Sequence, residues 1–152
     1  MSILERLKEL GIELPPAPQP VATYIPAVRT GNLVFTSGVL PMKEGKLAYT
    51  GKIGGFENNI EHGYEGAKLC VINALSVIND IVGLDNVVRI VKVVGFVNSD
   101  SLFTDQPKVI NGASDLLGDV FGDKGKHARS AVGVNTLPLN SSVEVELIVE
   151  VI

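Results

Sequence analysis

From Val143 to the final Ile152 the chain alternates in a way few structures can satisfy. Val143, Val145, Leu147, Val149 and Val151 fall on one side, and Glu144, Glu146 and Glu150 fall on the other. Residues two apart share a face only in an extended strand. The segment therefore demands a sheet whose apolar face is covered by a core, and it gives the opposite face three like charges. Those glutamates fit a wetted outer face, or a partly buried one that also holds a cation.

The cover comes from two helical patterns. Ile60, Tyr64, Ala67, Val71, Ala74, Ile78 and Ile81 recur at alternating spacings of four and three, ended by Gly83, which predicts a helix with one buried stripe. Thr104 or Asp105 is placed to cap a second helix, with Pro107 in its first turn, Ile110, Ala113, Leu117 and Val120 inside, and a stop near Gly122.

Further strands are expected on either side. Ile25, Ala27 and Val28, then Leu33, Val34 and Phe35, flank Gly31-Asn32 as a hairpin between Tyr24 and Ser37. Val87 to Val97, dense in β-branched residues, is expected to be a central strand with Arg89 on one face and Lys92 on the other. Ala128 to Val134 precedes the last strand, to which Leu137-Pro138-Leu139-Asn140 joins it. Gly38 to Gly55, with five glycines, is expected to be mostly loop with a short strand near Leu47-Ala48-Tyr49. The order strand, strand, helix, strand, helix, strand, strand predicts an α+β fold: a mixed sheet with both long helices on one face. The other face lacks a cover within the chain, which predicts a homo-oligomer.

Ahead of this domain, Ser2 and Glu5 form a capping-box pattern, and Ile3, Leu7 and Leu10 share a helical face that Gly11 and Pro15-Pro16 terminate. Four prolines between Pro15 and Pro20 read as an extended arm laid over the domain. The expected organisation is a helix and proline-rich arm over residues 1–20 and one domain over 21–152. A chain of 152 residues buries enough surface for one core without a staple. No apolar run approaches the roughly 20 residues of a membrane span, and the charged N-terminus lacks a signal-peptide centre, so a soluble cytoplasmic protein is expected.

Charge and composition narrow the chemistry. The net charge of -4, with no Lys/Arg cluster, disfavours a protein that grips nucleic acid through phosphates. Cys70 is the single cysteine and falls on the apolar helical pattern, as a small buried hydrophobe would rather than a reactive thiol. With two histidines, His62 and His127, and neither C-x-x-C nor H-E-x-x-H, no metal site is expected.

Arg129 opens a strand read as the neighbour of the glutamate strand. If it points with Ala131 and Gly133, those small residues leave room above its guanidinium. The planar fork then suits bidentate binding of a carboxylate, and a nearby Glu can order a water or move a proton. The competing reading is an ion pair of Arg129 with Glu144 or Glu146 that only fixes register. Taken singly, His127 reads as a surface-loop histidine, Asn111 as an exposed or capping polar residue, and Tyr24 as an aromatic core residue.

Taken together, Tyr24-Ile25-Pro26-Ala27-Val28, the hairpin G-N-L-V-F-T-S-G from Gly31 to Gly38 with Pro41, Asn111, and A-R-S-A-V-G-V from Ala128 with Leu137-Pro138 and Val143-Glu144-Val145-Glu146 resemble the reactive intermediate deaminase family, RidA or YjgF-like. The match runs over residues 21–152. The resemblance implies a chorismate mutase-like fold, a homotrimer whose sheets form a central barrel, and active sites in clefts between subunits. It implies hydrolysis of reactive enamines and imines such as 2-aminoacrylate to 2-keto acids and ammonia, with neither metal nor cofactor. By the same resemblance Arg129 binds the substrate carboxylate, Glu144 positions the attacking water, and Tyr24, Ser37, Gly38 and Asn111 shape the pocket. The chain departs from many deaminating members at Ala131, where they carry cysteine, at His127, where they carry Pro or Ala, and in its first 20 residues. Two alternatives stand beside this reading: a small-carboxylate (2-keto acid) binding protein without turnover, and the endoribonuclease or translation inhibitor of older family names, which the acidic balance disfavours.

Overall fold

The computed structural model describes residues 1–19 and 23–152; Pro20 and the boundary expected between residues 20 and 21 lie outside the described residues. In chain order the elements are α1 (Ile3–Glu9), the hairpin β1 (Ala27–Thr30) and β2 (Leu33–Thr36), a small hairpin β3 (Met42–Lys43) and β4 (Lys46–Leu47), α2 (Ile60–Ile81), β5 (Val87–Asn98), α3 (Gln106–Phe121), β6 (Ala128–Val134) and β7 (Val143–Val151). The five longer strands form one mixed sheet in the order β1-β2-β7-β5-β6, with β5 and β6 parallel and the other pairs antiparallel.

The apolar side of β7 meets the expectation: Val143, Val145, Leu147, Val149 and Val151 are all buried in the core beneath α2. The position of β7 differs from it. β5 is an interior strand, as expected, but it stands between β6 and β7, so the strand carrying Arg129 is not the neighbour of the glutamate strand. The crossover through α3 lays β6 parallel to β5, as parallel neighbours require. The chain then passes the end of β5, where Ser99 N donates to Val134 O at 3.1 Å and Asn98 N to Ser142 O at 2.9 Å, and enters β7 on the far side. β6 is left as an edge strand.

The second difference lies within β5. Its register slips between Val87 and Arg89 and again between Ile90 and Lys92, which sets Arg89 opposite Glu150 and Lys92 opposite Ile148. Glu150 and Ile148 point to one side, so Arg89 and Lys92 share the helix-free face instead of dividing between faces. An extra residue in one strand has this effect, because alternation restarts after the bulge.

Asn59 caps α2 by accepting from His62 N at 2.9 Å. The buried stripe of α2 is shifted from the expected one: Cys70, Leu75 and Val77 join Ala67, Val71, Ala74 and Ile78 in the core, while Ile60 and Tyr64 are half-buried and Ile81 is exposed. Cys70 is fully buried, and desolvation pushes its thiol well above its ordinary range, as expected of a core residue. α2 and α3 cross closely at Gly112, where a Cβ would lie 2.0 Å from the Tyr64 carbonyl oxygen. Beside the crossing, the Tyr64 hydroxyl donates to Asp115 Oδ2 at 2.7 Å, and that bond raises its pKa to about 12.

α1 begins with the capping box read from sequence: Ser2 Oγ accepts from Glu5 N at 3.1 Å, and Ser2 N donates to Glu5 Oε2 at 2.8 Å. Leu7 is buried in the main core. The following arm lies over the domain, with Ile12 and Leu14 packed on the core and Pro15 O accepting from Ser76 Oγ at 2.6 Å. In the glycine-rich loop the expected single short strand is a two-stranded hairpin, pinned where Asn73 Nδ2 donates to Leu40 O (3.1 Å) and Met42 O (2.9 Å).

Opposite the helices, the sheet presents Val28, Phe35 and Val132, all exposed, alongside the glutamates of β7. No element of the described residues covers this face.

Candidate active site

Arg129 is the second residue of β6 and pairs with Val93 of β5, which pairs in turn with buried Leu147 of β7. Paired residues point the same way, so Arg129 projects to the helix side with Ala131 and Gly133. There α3 offers two acceptors one turn apart. Arg129 Nη1 donates to Asn111 Oδ1 at 2.8 Å and to Ser114 Oγ at 3.2 Å. Both hydrogens of Nη1 are thereby engaged, and the Nε–Nη2 edge of the guanidinium remains for a ligand.

The ion pairs of the described residues, Arg6–Glu9, Lys108–Asp105 and Lys126–Asp123, include neither Arg129 nor any glutamate of β7. The register-fixing pair of Arg129 with Glu144 or Glu146 does not form. Strand order and strand face both forbid it: Glu144 pairs with Phe96, which pairs with exposed Val132, so Glu144 projects from the helix-free side.

Glu144 belongs to a second cluster. Next to it the chain after β2 continues along β7, where Val39 N donates to Val145 O at 2.8 Å and Val145 N to Val39 O at 3.0 Å. This brings Gly38 against the carboxyl group: a Cβ at Gly38 would lie 2.8 Å from both Glu144 Cδ and Oε2. Ser37 is held by its Oγ donating to Ile25 O and its N donating to Pro26 O, each at 2.8 Å. Half-burial, and secondarily the charge of Glu146, hold the Glu144 pKa above the usual carboxylate range. Tyr24 precedes β1 and is 61% exposed, so it is not the core aromatic that its sequence context suggested.

The predicted site residues thus fall into two groups: Arg129 with Asn111 on the helix side, and Glu144 with Ser37 and Gly38 on the other. Within one chain they do not meet.

Ser114 and His127 stand outside the predicted site; His127 lies in the loop before β6, as expected, though not fully at the surface. The His127 ring is half-buried, with Nδ1 2.6 Å from Gly125 O and Nε2 2.9 Å from Ser114 Oγ. The i, i+3 spacing of Asn111 and Ser114 puts both on one helix face; that this face meets Arg129 depends on the crossover and is not a local signal. Lys52, also absent from the reading, ties the glycine-rich loop to the strand ends: its Nζ donates to Asn98 Oδ1 at 3.1 Å, Ser99 O at 3.4 Å and Asn135 O. Among the described residues no three His, Cys, Asp or Glu side chains gather as a metal-ligand set. No helix among them is long and apolar enough to cross a membrane.

Comparison with known proteins places this geometry in context. Residues 4–151 match the family described as "YjgF/chorismate_mutase-like, putative endoribonuclease". The chain is 41% identical over 150 residues to Protein TCP17 of Trypanosoma cruzi, covering 97% of this chain and 93% of that protein. It is 31% identical over 139 residues to a 2-iminobutanoate/2-iminopropanoate deaminase of Dermatophagoides farinae, covering 91% and 93%. The crystal structure of Atu1372 from Agrobacterium tumefaciens, a protein of unknown function, superposes with a TM-score of 0.92 at 43% identity, over 99% of this chain and 92% of that one.

Proposed function

This chain belongs to the YjgF/chorismate mutase-like family, and from that premise we propose that it hydrolyses small 2-imino acids and their enamine tautomers, of the 2-aminoacrylate type, to 2-keto acids and ammonia. The observation that carries the reading is the free Nε–Nη2 edge of Arg129, a half-buried guanidinium held on Nη1 by two neutral acceptors and paired with no carboxylate. Such an edge matches the two oxygens of a substrate carboxylate. The substrates in the name of the Dermatophagoides farinae relative are of the same chemical class.

A carboxylate held on Arg129 fixes the adjoining imine carbon. That carbon is already electrophilic, so orientation and charge pairing supply what the addition of water needs. Water adds to it, the C–N bond breaks, the nitrogen takes up protons and leaves as ammonia, and the water oxygen stays as the keto oxygen. Glu144, whose environment favours its protonated form more than water does, is the group we assign to hold that water and pass a proton between it and the leaving nitrogen. Asn111 steadies the guanidinium, while Tyr24, Ser37 and Gly38 form the wall beside Glu144.

Arg129 and Glu144 act together only if two copies contribute. The reading therefore includes a homotrimer whose uncovered sheet faces meet in a barrel, one subunit supplying Arg129 and Asn111 and the next supplying Tyr24, Ser37, Gly38 and Glu144. The apolar residues on the uncovered face support this association.

The test is keto-acid formation from 2-aminoacrylate generated in situ. Wild type is expected to accelerate it and Arg129→Ala to abolish the acceleration; a wild-type rate equal to that of buffer rejects the reading. One observation favours a second reading, binding of a small 2-keto acid without turnover: the Arg129 cluster is complete within one chain and includes no acid or base in contact with the guanidinium. Arg129-dependent binding without turnover would establish it.

A further inference from the structure

Arg129 is held by a chain of hydrogen bonds that runs in one direction and contains no negative charge. The Gly125 carbonyl can only accept, so the 2.6 Å contact places a hydrogen on His127 Nδ1. In the neutral ring Nε2 is then an acceptor, and at 2.9 Å it takes the hydroxyl hydrogen of Ser114. With its hydrogen committed, Ser114 Oγ turns its lone pairs to Arg129 Nη1 at 3.2 Å. Gly125, which anchors the chain, is itself buried at the end of the 3-10 turn Gly122–Gly125 that directly follows α3.

We infer that Ser114 and His127 are positioning residues that fix the Arg129 guanidinium with its Nε–Nη2 edge outward while leaving its charge unneutralised for the ligand. The inference rests on the carboxylate-binding role given to Arg129 and extends it to two residues that touch no substrate. An aspartate or glutamate in their place would orient the fork equally well and would form an ion pair with it, weakening its attraction for a second carboxylate. Ser114, His127 and Asn111 orient by neutral acceptors alone. Hydrogen bonds in sequence polarise one another, so loss of the ring at the far end weakens the bond at the guanidinium.

The experiment uses 15N-labelled full-length protein, with pyruvate as the ligand probe. Wild-type His127 should appear as the Nδ1–H tautomer, and the Arg129 Nη1 protons should be resolved through slowed rotation about the Nε–Cζ and Cζ–Nη1 bonds. Ser114→Ala and His127→Ala should broaden the Nη1 signals and raise the Kd of pyruvate roughly two- to tenfold, the span of one hydrogen bond. KM for the imine should rise in step while kcat moves less. Ser114→Thr, which keeps the hydroxyl, should restore both signal and Kd, and Ser114→Asp should keep the Nη1 signals sharp yet weaken pyruvate. An Nε2–H tautomer, or Nη1 signals unchanged in Ser114→Ala, would overturn the inference. If wild type itself does not bind pyruvate, the carboxylate-binding role of Arg129 falls, and the tautomer and guanidinium signals still decide the hydrogen-bond chain on their own.

Discussion

Arg129 and Glu144 project from opposite faces of the same sheet: Arg129 shares its face with Val93 and Leu147, and Glu144 shares the other with Phe96 and Val132. Residues of opposite charge that a linear reading pairs are thus held apart by the β5 ladder.

Subunit mixing is the direct consequence. Arg129→Ala and Glu144→Gln are each expected to lose activity as pure homo-oligomers. Refolded together in equal amounts, they should recover about a quarter of the wild-type sites, since in the proposed assembly each interface draws one residue from each of two copies in a closed ring. Activity in a titration of the two variants reads this out, and zero recovery would place both groups in the same subunit's site.

Gly38 is expected to separate folding from chemistry. A Cβ there meets the far end of the Glu144 side chain, which can swing aside, so Gly38→Ala should cost no more than about 1 kcal/mol in denaturant unfolding. The carboxyl is displaced, however, and in the catalytic role proposed for Glu144 a shift on the order of 1 Å lowers kcat up to about a hundredfold. Unfolding midpoints and single-turnover rates, measured side by side, check the split.

Glu144 also sets a pH dependence. Its folded-state pKa lies above its unfolded value, so between the two the folded chain holds the proton more than the unfolded chain does. Stability contributed by the protonated group is full below the unfolded value, near 4.5, and is lost as pH rises through the higher folded value. Glu144→Gln should therefore be more stable than wild type at neutral pH and lose that advantage in acid. Thermal melts of both proteins across this interval test the direction.

Gly112 has no such escape. Its would-be Cβ meets backbone, the Tyr64 carbonyl oxygen at 2.0 Å, so Gly112→Ala must push α3 from α2. A loss of about 1–3 kcal/mol or more in unfolding free energy is expected. The displaced helix carries Asn111 and Ser114, so ligand affinity at Arg129 should fall as well.

What was legible in the sequence was local. The Ser2–Glu5 capping box, the extent of α2, Pro107 and Gly122 at the ends of α3, and the turn at Gly31-Asn32 are each determined by residues within a few positions, and each lies where its pattern put it. Strand order is set by which edge a returning chain meets, which no short window records; hence from the sequence alone β6 reads as the neighbour of β7. The bulges of β5 hid the shared face of Arg89 and Lys92 for a related reason, because strict alternation assumes an unbroken register. Asn111 and Arg129 were placed together only through family resemblance, and Ser114 and His127 escaped because a helix and a loop 13 residues apart meet by tertiary folding.

The edge position of β6 has an evolutionary corollary. Its backbone pairs with a single strand, so side chains at His127, Arg129 and Ala131 can be exchanged without rewriting the β7–β5 ladder on which the core depends. Ligand preference can drift along this margin while the central strands stay under selection for packing. If Arg129 binds keto acids as proposed, a library confined to residues 127–133 should yield many folded variants with altered keto-acid affinities, whereas one spread over Val143–Val151 should yield few that fold at all.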